Sequence, residues 1–184
     1  MSTAEVLLRA AAFAAERHRK QRRKGADRDP YINHPIRVAA LLAGVGGVRD
    51  LDVLVAALLH DTVEDTETTP AQLEKAFGKR VRRLVAEVSD DKTLPKATRK
   101  RRQAEHAPHL SREAKQIKLA DLAANVIELG QRPPDDWSLA RKREYLMWEA
   151  RVADGCRGAS AALEAHLDKA VAKTRRALAR RKVE

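Results

Sequence analysis

Val53-Leu54-Val55-Ala56-Ala57-Leu58-Leu59 runs without a break into His60-Asp61-Thr62-Val63-Glu64-Asp65. Read as a helix, the run puts Glu64 four residues after His60 and three after Asp61, and Asp65 four after Asp61. Those offsets stack side chains on one face. His60 and Asp61 are neighbours and diverge around the axis, so a ligand shared by both sits over the helix edge between them. Carboxylates near a helix C-terminus meet the negative end of its dipole, at about 0.3–1 kcal/mol each, and they also repel one another. A cation offsets both effects, and a metal ion is the most economical one.

Working outward, Asp50 or Asp52 starts this helix, and Gly44-Val45-Gly46-Gly47 ends the one before it. That earlier helix runs to about Ala43, with Asn33 as its cap and Pro35 in its first turn, where a missing N–H costs least. Residues 4–20 read as an amphipathic, alanine-rich helix, followed by a basic loop from Arg17 to Lys24 and by breakers Gly25, Asp27, Asp29 and Pro30. On the other side, Thr69-Pro70-Ala71-Gln72 is a capping box with proline at the first helical position. Further helices are expected to Gly78, over about 80–88 and 97–105, from Ser111 to Gly130, from Ser138 past Val152, and from about Ser160 into a basic C-terminal helix or tail over 165–184. No stretch alternates β-branched and polar residues as a strand would. The expectation is an all-α single domain, residues 1–184, of about eight to ten helices.

Composition bounds the function classes. The 184 residues suffice for one domain with a sizeable core. Aromatics are 3%, so that core has to be mainly Leu, Val, Ala and Ile. Charged residues reach 34%, and no apolar run approaches the roughly 20 residues of a membrane span. Glu5 and Arg9 interrupt the N-terminal apolar stretch and argue against a signal peptide. A single cysteine, Cys156, excludes an internal disulfide and a cysteine-rich zinc site. A cytoplasmic protein is expected. The net charge of +11 points to an anionic partner: nucleic acid, a membrane surface or a phosphorylated small molecule. The scarcity of stacking aromatics argues against nucleic acid, and Lys173 to Lys182 reads as a solvated helix end whose cations suit the dipole.

His34, just after a turn, and Asp121, mid-helix among apolar neighbours, are the residues best placed to join His60 and Asp61. A carboxylate buried at position 121 needs a partner, supplied either by a metal or by Lys118 or Arg132. Two imidazoles and two carboxylates without a thiolate suit Mn²⁺ best, with Fe²⁺, Co²⁺ or Mg²⁺ as alternatives. Cys156 sits between glycines without a base, His106 and His109 read as surface histidines, and His18 serves either a local hydrogen bond or a site.

Four motifs in order, Tyr31-Ile32-Asn33-His34-Pro35, Ala57 to Asp65, Asp90-Asp91-Lys92-Thr93-Leu94-Pro95 and Lys118-Leu119-Ala120-Asp121, resemble the HD-domain hydrolases of the RelA/SpoT group. The resemblance is strongest to its single-domain members, the small alarmone hydrolases and the metazoan SpoT homologue, and covers nearly the whole chain. It implies that His34, His60, Asp61 and Asp121 bind Mn²⁺ and that Glu64 and Asp65 orient or activate the attacking water. Arg23 and Lys24 would lie beside substrate phosphates, and Tyr31, Asn125 and Tyr145 near the nucleoside. The implied reaction removes the 3′-pyrophosphate from guanosine 3′,5′-bis(diphosphate) or its pentaphosphate relative. An adenosine alarmone or the 2′-phosphate of NADPH is the alternative substrate, and an alarmone sensor or a basic nucleic-acid-binding protein is the alternative without catalysis. A homodimer is compatible with this reading. The sequence departs from the family at Leu122 and Ile127, where basic residues are usual.

Overall fold

The computed structural model describes residues 2–25 and 27–180. Among them lie ten α-helices: α1 (Thr3–Arg17), α2 (Asn33–Gly44), α3 (Leu51–Leu59), α4 (Thr62–Asp65), α5 (Pro70–Phe77), α6 (Lys79–Val88), α7 (Lys96–His106), α8 (Arg112–Gln131), α9 (Leu139–Gly155) and α10 (Ala161–Arg180). A 3-10 turn, Ala107–His109, links α7 to α8, and an isolated antiparallel bridge between Arg22 and Pro30 is the only extended pairing among the described residues.

α3 and α8 form the centre. Every residue of α3 from Val53 to Leu59 is buried, as expected of a helix that is apolar all round. α8 buries Ile117, Leu119, Leu122, Val126 and Leu129 together with Lys118 and Asp121. It is surrounded by α2, α3, α6, α9 and α10. Most helix starts follow from local chemistry. Asp50 accepts from the Asp52 and Val53 N–H groups at 3.0 and 3.4 Å. Thr69 and Gln72 complete the expected capping box, and Ser111 and Ser138 cap α8 and α9.

Three expectations need correction. Asn33 is not a cap: it is the first residue of α2, and Ile32 precedes it without a side-chain bond. The preceding turn has already satisfied the exposed donors, because the Asn33 and His34 N–H groups bond to the carbonyls of Pro30 and Tyr31, and Pro35 has no N–H to satisfy. The helix through the acidic motif is not continuous either. α3 stops at Leu59, and α4 begins at Thr62. Thr62 Oγ1 donates back to the Leu59 carbonyl at 2.6 Å, closing the end of α3 with a side chain.

The basic C-terminal stretch is also more than a solvated end. Leu163, Leu167, Ala170, Thr174 and Leu178 are buried, and Thr174 Oγ1 donates to the Val126 carbonyl at 2.9 Å. Lys173, Arg175, Arg176 and Arg180 occupy the outer face, while Arg181 and Lys182 lie outside the described residues. The close approach of α10 to α8 depends on Gly130. A Cβ there would collide with Thr174 Oγ1 and sit 3.2 Å from its Cβ and 3.4 Å from its Cα. Gly130→Ala is therefore expected to cost about 1–3 kcal/mol by overpacking, despite alanine's better helix propensity. Chemical denaturation checks this, and an unchanged midpoint counts against the tight contact.

Candidate active site

A cleft of about 970 Å³ opens between the loop following α1, the α3–α4 break, α7, α8 and α9, and His34, Asp61, Glu64, Asp65 and Asp121 line it. His34 is the second residue of α2, Asp121 is mid-α8, and His60 and Asp61 lie in the break. His34 Nε2 lies 3.2 Å from Asp121 Oδ1 and 3.7 Å from Asp61 Oδ2. His60 Nε2 lies 3.1 Å from Asp61 Oδ2 and 3.9 Å from Asp121 Oδ1. His34, His60 and Asp121 each offer an atom within 4.8 Å of the other two. Asp61 touches both imidazoles but is not part of that mutual set, and its Oδ2 also accepts the Tyr31 hydroxyl at 2.7 Å.

Several features fit this cluster to a divalent cation. His60 Nδ1 lies 2.7 Å from the Ala57 carbonyl. A carbonyl only accepts, so Nδ1 carries the hydrogen, the arrangement that orients a metal-ligating histidine. Its Nε2 is buried and completes no hydrogen bond. Burial disfavours the charged imidazolium of His60, yet Asp61 and Asp121 overcome this and hold its pKa up at about 9. The same negative charge would attract a metal, which would displace that proton. Burial lowers the His34 pKa, with Arg23 adding to the effect, and so favours the neutral ligand form. Burial works against ionised Asp61, but the attraction of His60 prevails and keeps it well below the carboxylate range. Asp121 is likewise lowered against burial by His34 and by Lys118, whose Nζ is 3.5 Å from Asp121 Oδ2. Arg132 instead pairs with Asp27 and Asp29, at 3.2 and 2.8 Å.

The acidic pair is held differently at each member. Glu64 Oε2 accepts the Asp90 N–H at 2.9 Å, and its Oε1 lies 3.4 Å from Lys92 Nζ. Burial, reinforced by Asp61, outweighs the Asp90 bond and pushes the Glu64 pKa up. Asp65 is tied at both oxygens, Oδ1 to Lys92 at 2.5 Å and Oδ2 to Gln21 Nε2 at 3.0 Å.

The other expected residues also line the cleft. Arg23 is mostly committed within the protein. Its Nε and Nη2 bond to Glu128 at 3.0 and 2.7 Å, Nη2 also bonds to Asn125 Oδ1 at 2.8 Å, and its guanidinium lies over the Tyr31 ring. Asn125 Nδ2 in turn donates to Asp121 Oδ1 at 2.8 Å. Lys24 is exposed at the rim. Tyr145 stands between Trp137 and Trp148, with ring centroids 5.2 and 5.6 Å away. Leu122, in place of a basic residue, lines the cleft, and Ile127 packs on the core. Cys156 is buried, and burial pushes its thiol up to about 11, consistent with an inert group. Sequence reasoning missed Gln21, Glu128 and Glu149, all of which line the cleft. Lys92 was visible within the third motif, whereas the other three belong to no local pattern.

A helical domain with paired histidines and aspartates at its centre is the arrangement of an HD domain. The model of that family matches residues 10–133, and the chain belongs to it. It is 53% identical over 167 residues to guanosine-3′,5′-bis(diphosphate) 3′-pyrophosphohydrolase MESH1 of Xenopus tropicalis, covering 91% of this chain and 93% of that one. To the Homo sapiens protein of the same name it is 55% identical over 163 residues, covering 89% and 91%. It is also similar to a solved structure of a metazoan ortholog of SpoT that hydrolyzes ppGpp, with TM-score 0.89 and 43% identity over 91% of this chain and 94% of that one.

Proposed function

We propose that this protein is a divalent-metal-dependent phosphohydrolase that removes the 3′-pyrophosphate from guanosine 3′,5′-bis(diphosphate) or its pentaphosphate relative, giving GDP or GTP and pyrophosphate. The observation that carries this reading is the convergence of His34, His60, Asp61 and Asp121 beside the Glu64–Asp65 pair in one cleft. The activity for which the relatives are named, over nearly their whole length, supports the same substrate.

The four side chains offer two imidazole nitrogens and carboxylate oxygens with no thiolate, a donor set that suits Mn²⁺, with Fe²⁺, Co²⁺ or Mg²⁺ as weaker fits. When bound, such an ion supplies Lewis-acid polarisation of a phosphate and makes water easier to deprotonate. Glu64 is the proton acceptor in this reading, because its raised pKa lets it take and keep a proton closer to neutrality. Asp65, fixed by Lys92 and Gln21, orients the attacking water. Lys24, Lys96, Lys100 and Arg141 provide positive charge along the cleft for the phosphates. Arg23, with its fork turned to Glu128 and Asn125, acts mainly by holding Asn125. Tyr145 and its two tryptophan neighbours form an aromatic wall against which a base can stack. Among the described residues no helix is long and apolar enough to cross a membrane.

A turnover panel of guanosine and adenosine 3′-pyrophosphorylated nucleotides and NADPH, with Mn²⁺ and with chelator, tests the proposal. The expected result is equimolar GDP and pyrophosphate from the guanosine substrate, abolished by chelation and restored by Mn²⁺. A higher kcat/KM for the adenosine substrate or NADPH would overturn the substrate assignment. Undiminished turnover in metal-free protein would overturn the mechanism.

A further inference from the structure

His18 ends α1, its backbone N–H bonded to the Ala14 carbonyl at 2.9 Å, and its ring is buried although it stands outside the metal cluster. Two contacts tie that ring to the site from different directions. Nδ1 lies 2.7 Å from Gln21 Oε1, and Gln21 Nε2 donates to Asp65 Oδ2 at 3.0 Å. The ring also stacks on Tyr31, with centroids 4.7 Å apart and planes inclined by 27°, and the Tyr31 hydroxyl donates to Asp61 Oδ2.

Hydrogen-bond chemistry sets the direction of the first chain. An ionised carboxylate only accepts, so Gln21 has to present its NH₂ to Asp65, which turns its oxygen toward His18. That oxygen requires an N–H at Nδ1. A flipped amide would set oxygen against oxygen at Asp65. Because Asp65 Oδ1 is held by Lys92 at 2.5 Å, Gln21 and Lys92 together fix the rotation of the carboxylate.

We infer that His18 is a positioning residue: its Nδ1–H locks the Gln21 amide, and through it selects the orientation in which Asp65 meets the attacking water. The inference rests on the reaction proposed above. The Tyr31 stack contributes packing, and the Gln21 bond contributes the alignment.

Two substitutions separate these contributions. His18→Phe keeps a ring against Tyr31 but has no donor, whereas His18→Asn keeps an N–H near the place of Nδ1 but loses the ring. His18→Phe is expected to lower kcat about 10- to 100-fold, the usual cost of losing an orienting partner, with KM, bound Mn²⁺ and thermal midpoint close to the parent's. His18→Asn is expected to recover most of that loss. Equal kcat in the two variants, or a parent-like kcat in His18→Phe, would overturn the inference. The side-chain amide resonances of Gln21 give a readout that needs no turnover. They should be resolved and slowly exchanging in the parent and His18→Asn, and averaged in His18→Phe. If the parent hydrolyses nothing on the panel, the proposed function fails by itself, and a parent-like Gln21 signal in His18→Phe would separately sink the role of His18.

Discussion

Asp121→Asn is expected to strip the protein of its metal and to lower turnover by roughly a thousandfold or more, the rate equivalent of several kcal/mol of lost metal assistance. The substitution keeps the shape of the side chain and removes its charge. Oδ1 faces His34 and His60, and Oδ2 faces Lys118. Neutralising it therefore withdraws the charge of a proposed metal ligand and leaves a buried ammonium without its closest counter-charge. Lys118 is buried at the cleft wall. Burial works against its charged form, but Asp121, followed by Asp90, more than compensates and raises its pKa. Breaking such a pair by removing one partner costs about 3–5 kcal/mol, so a lower thermal midpoint should accompany the loss of metal. Adding Lys118→Met should recover stability without recovering activity. Metal analysis and turnover on the same preparations decide the matter, and an active Asp121→Asn protein with parent-like metal content would refute the site.

Glu149→Gln is expected to stabilise the protein, and to do so more at pH 8 than at pH 4. Glu149 is fully buried on α9 and lines the cleft, and neither carboxylate oxygen completes a hydrogen bond. Burial, with repulsion from Asp121, pushes its pKa up to about 8 from an ordinary 4.5, against partial relief from Tyr145, Lys118 and Lys100. Below pH 4.5 the carboxyl is neutral in both folded and unfolded chains, and no penalty arises. Between pH 4.5 and 8 the unfolded chain ionises while the folded one retains its proton, so stability falls as pH rises. Above pH 8 the loss is complete. At about 1.36 kcal/mol per unit this amounts to a few kcal/mol. The amide is neutral throughout and escapes the penalty, giving a gain of about 5–10 °C in midpoint at pH 8 that shrinks to nearly nothing at pH 4. Parallel stability curves for parent and variant would show that Glu149 is not held protonated by the fold.

The helical architecture was readable because its signals are local. Thr69-Pro70-Ala71-Gln72, Ser111, Ser138 and Gly78 each act within one turn of where they stand, and each marks a helix boundary in the structure. The candidate ligands were readable for a different reason: His60 and Asp61 follow a wholly apolar run, and Asp121 interrupts another, so their polarity stood out against what surrounds them. Contacts across long separations left no such trace. Arg23 and Glu128 are 105 positions apart and Gln21 and Asp65 are 44 apart, and nothing in either neighbourhood announces the partner. The family resemblance could place Arg23 beside the phosphates, but it gave no sign that Nε and Nη2 are engaged by Glu128 and Asn125. Glu149 shows the same limit, since nothing in its own stretch of α9 marks it as buried and the charged groups that act on it, Asp121 and Lys118, come from α8. The break at His60–Asp61 was hidden too, because no Gly or Pro marks it and the Thr62 hydroxyl that closes α3 acts through a bond to the Leu59 carbonyl that only the structure shows.

That break bears on any attempt to harden this protein by design. Algorithms that reward uninterrupted helices would favour fusing α3 to α4 for the sake of a higher melting temperature. His60 keeps regular helical torsions, φ −56° and ψ −35°, whereas Asp61 departs to φ −93° and ψ −5°, so restoring a regular helix there would swing Thr62–Asp65, and with it Glu64 and Asp65, away from their present place beside the histidine–aspartate cluster. The two-residue interruption is thus a place where robustness and chemistry compete, and thermostabilised variants should be built around it with residues 60 and 61 left untouched.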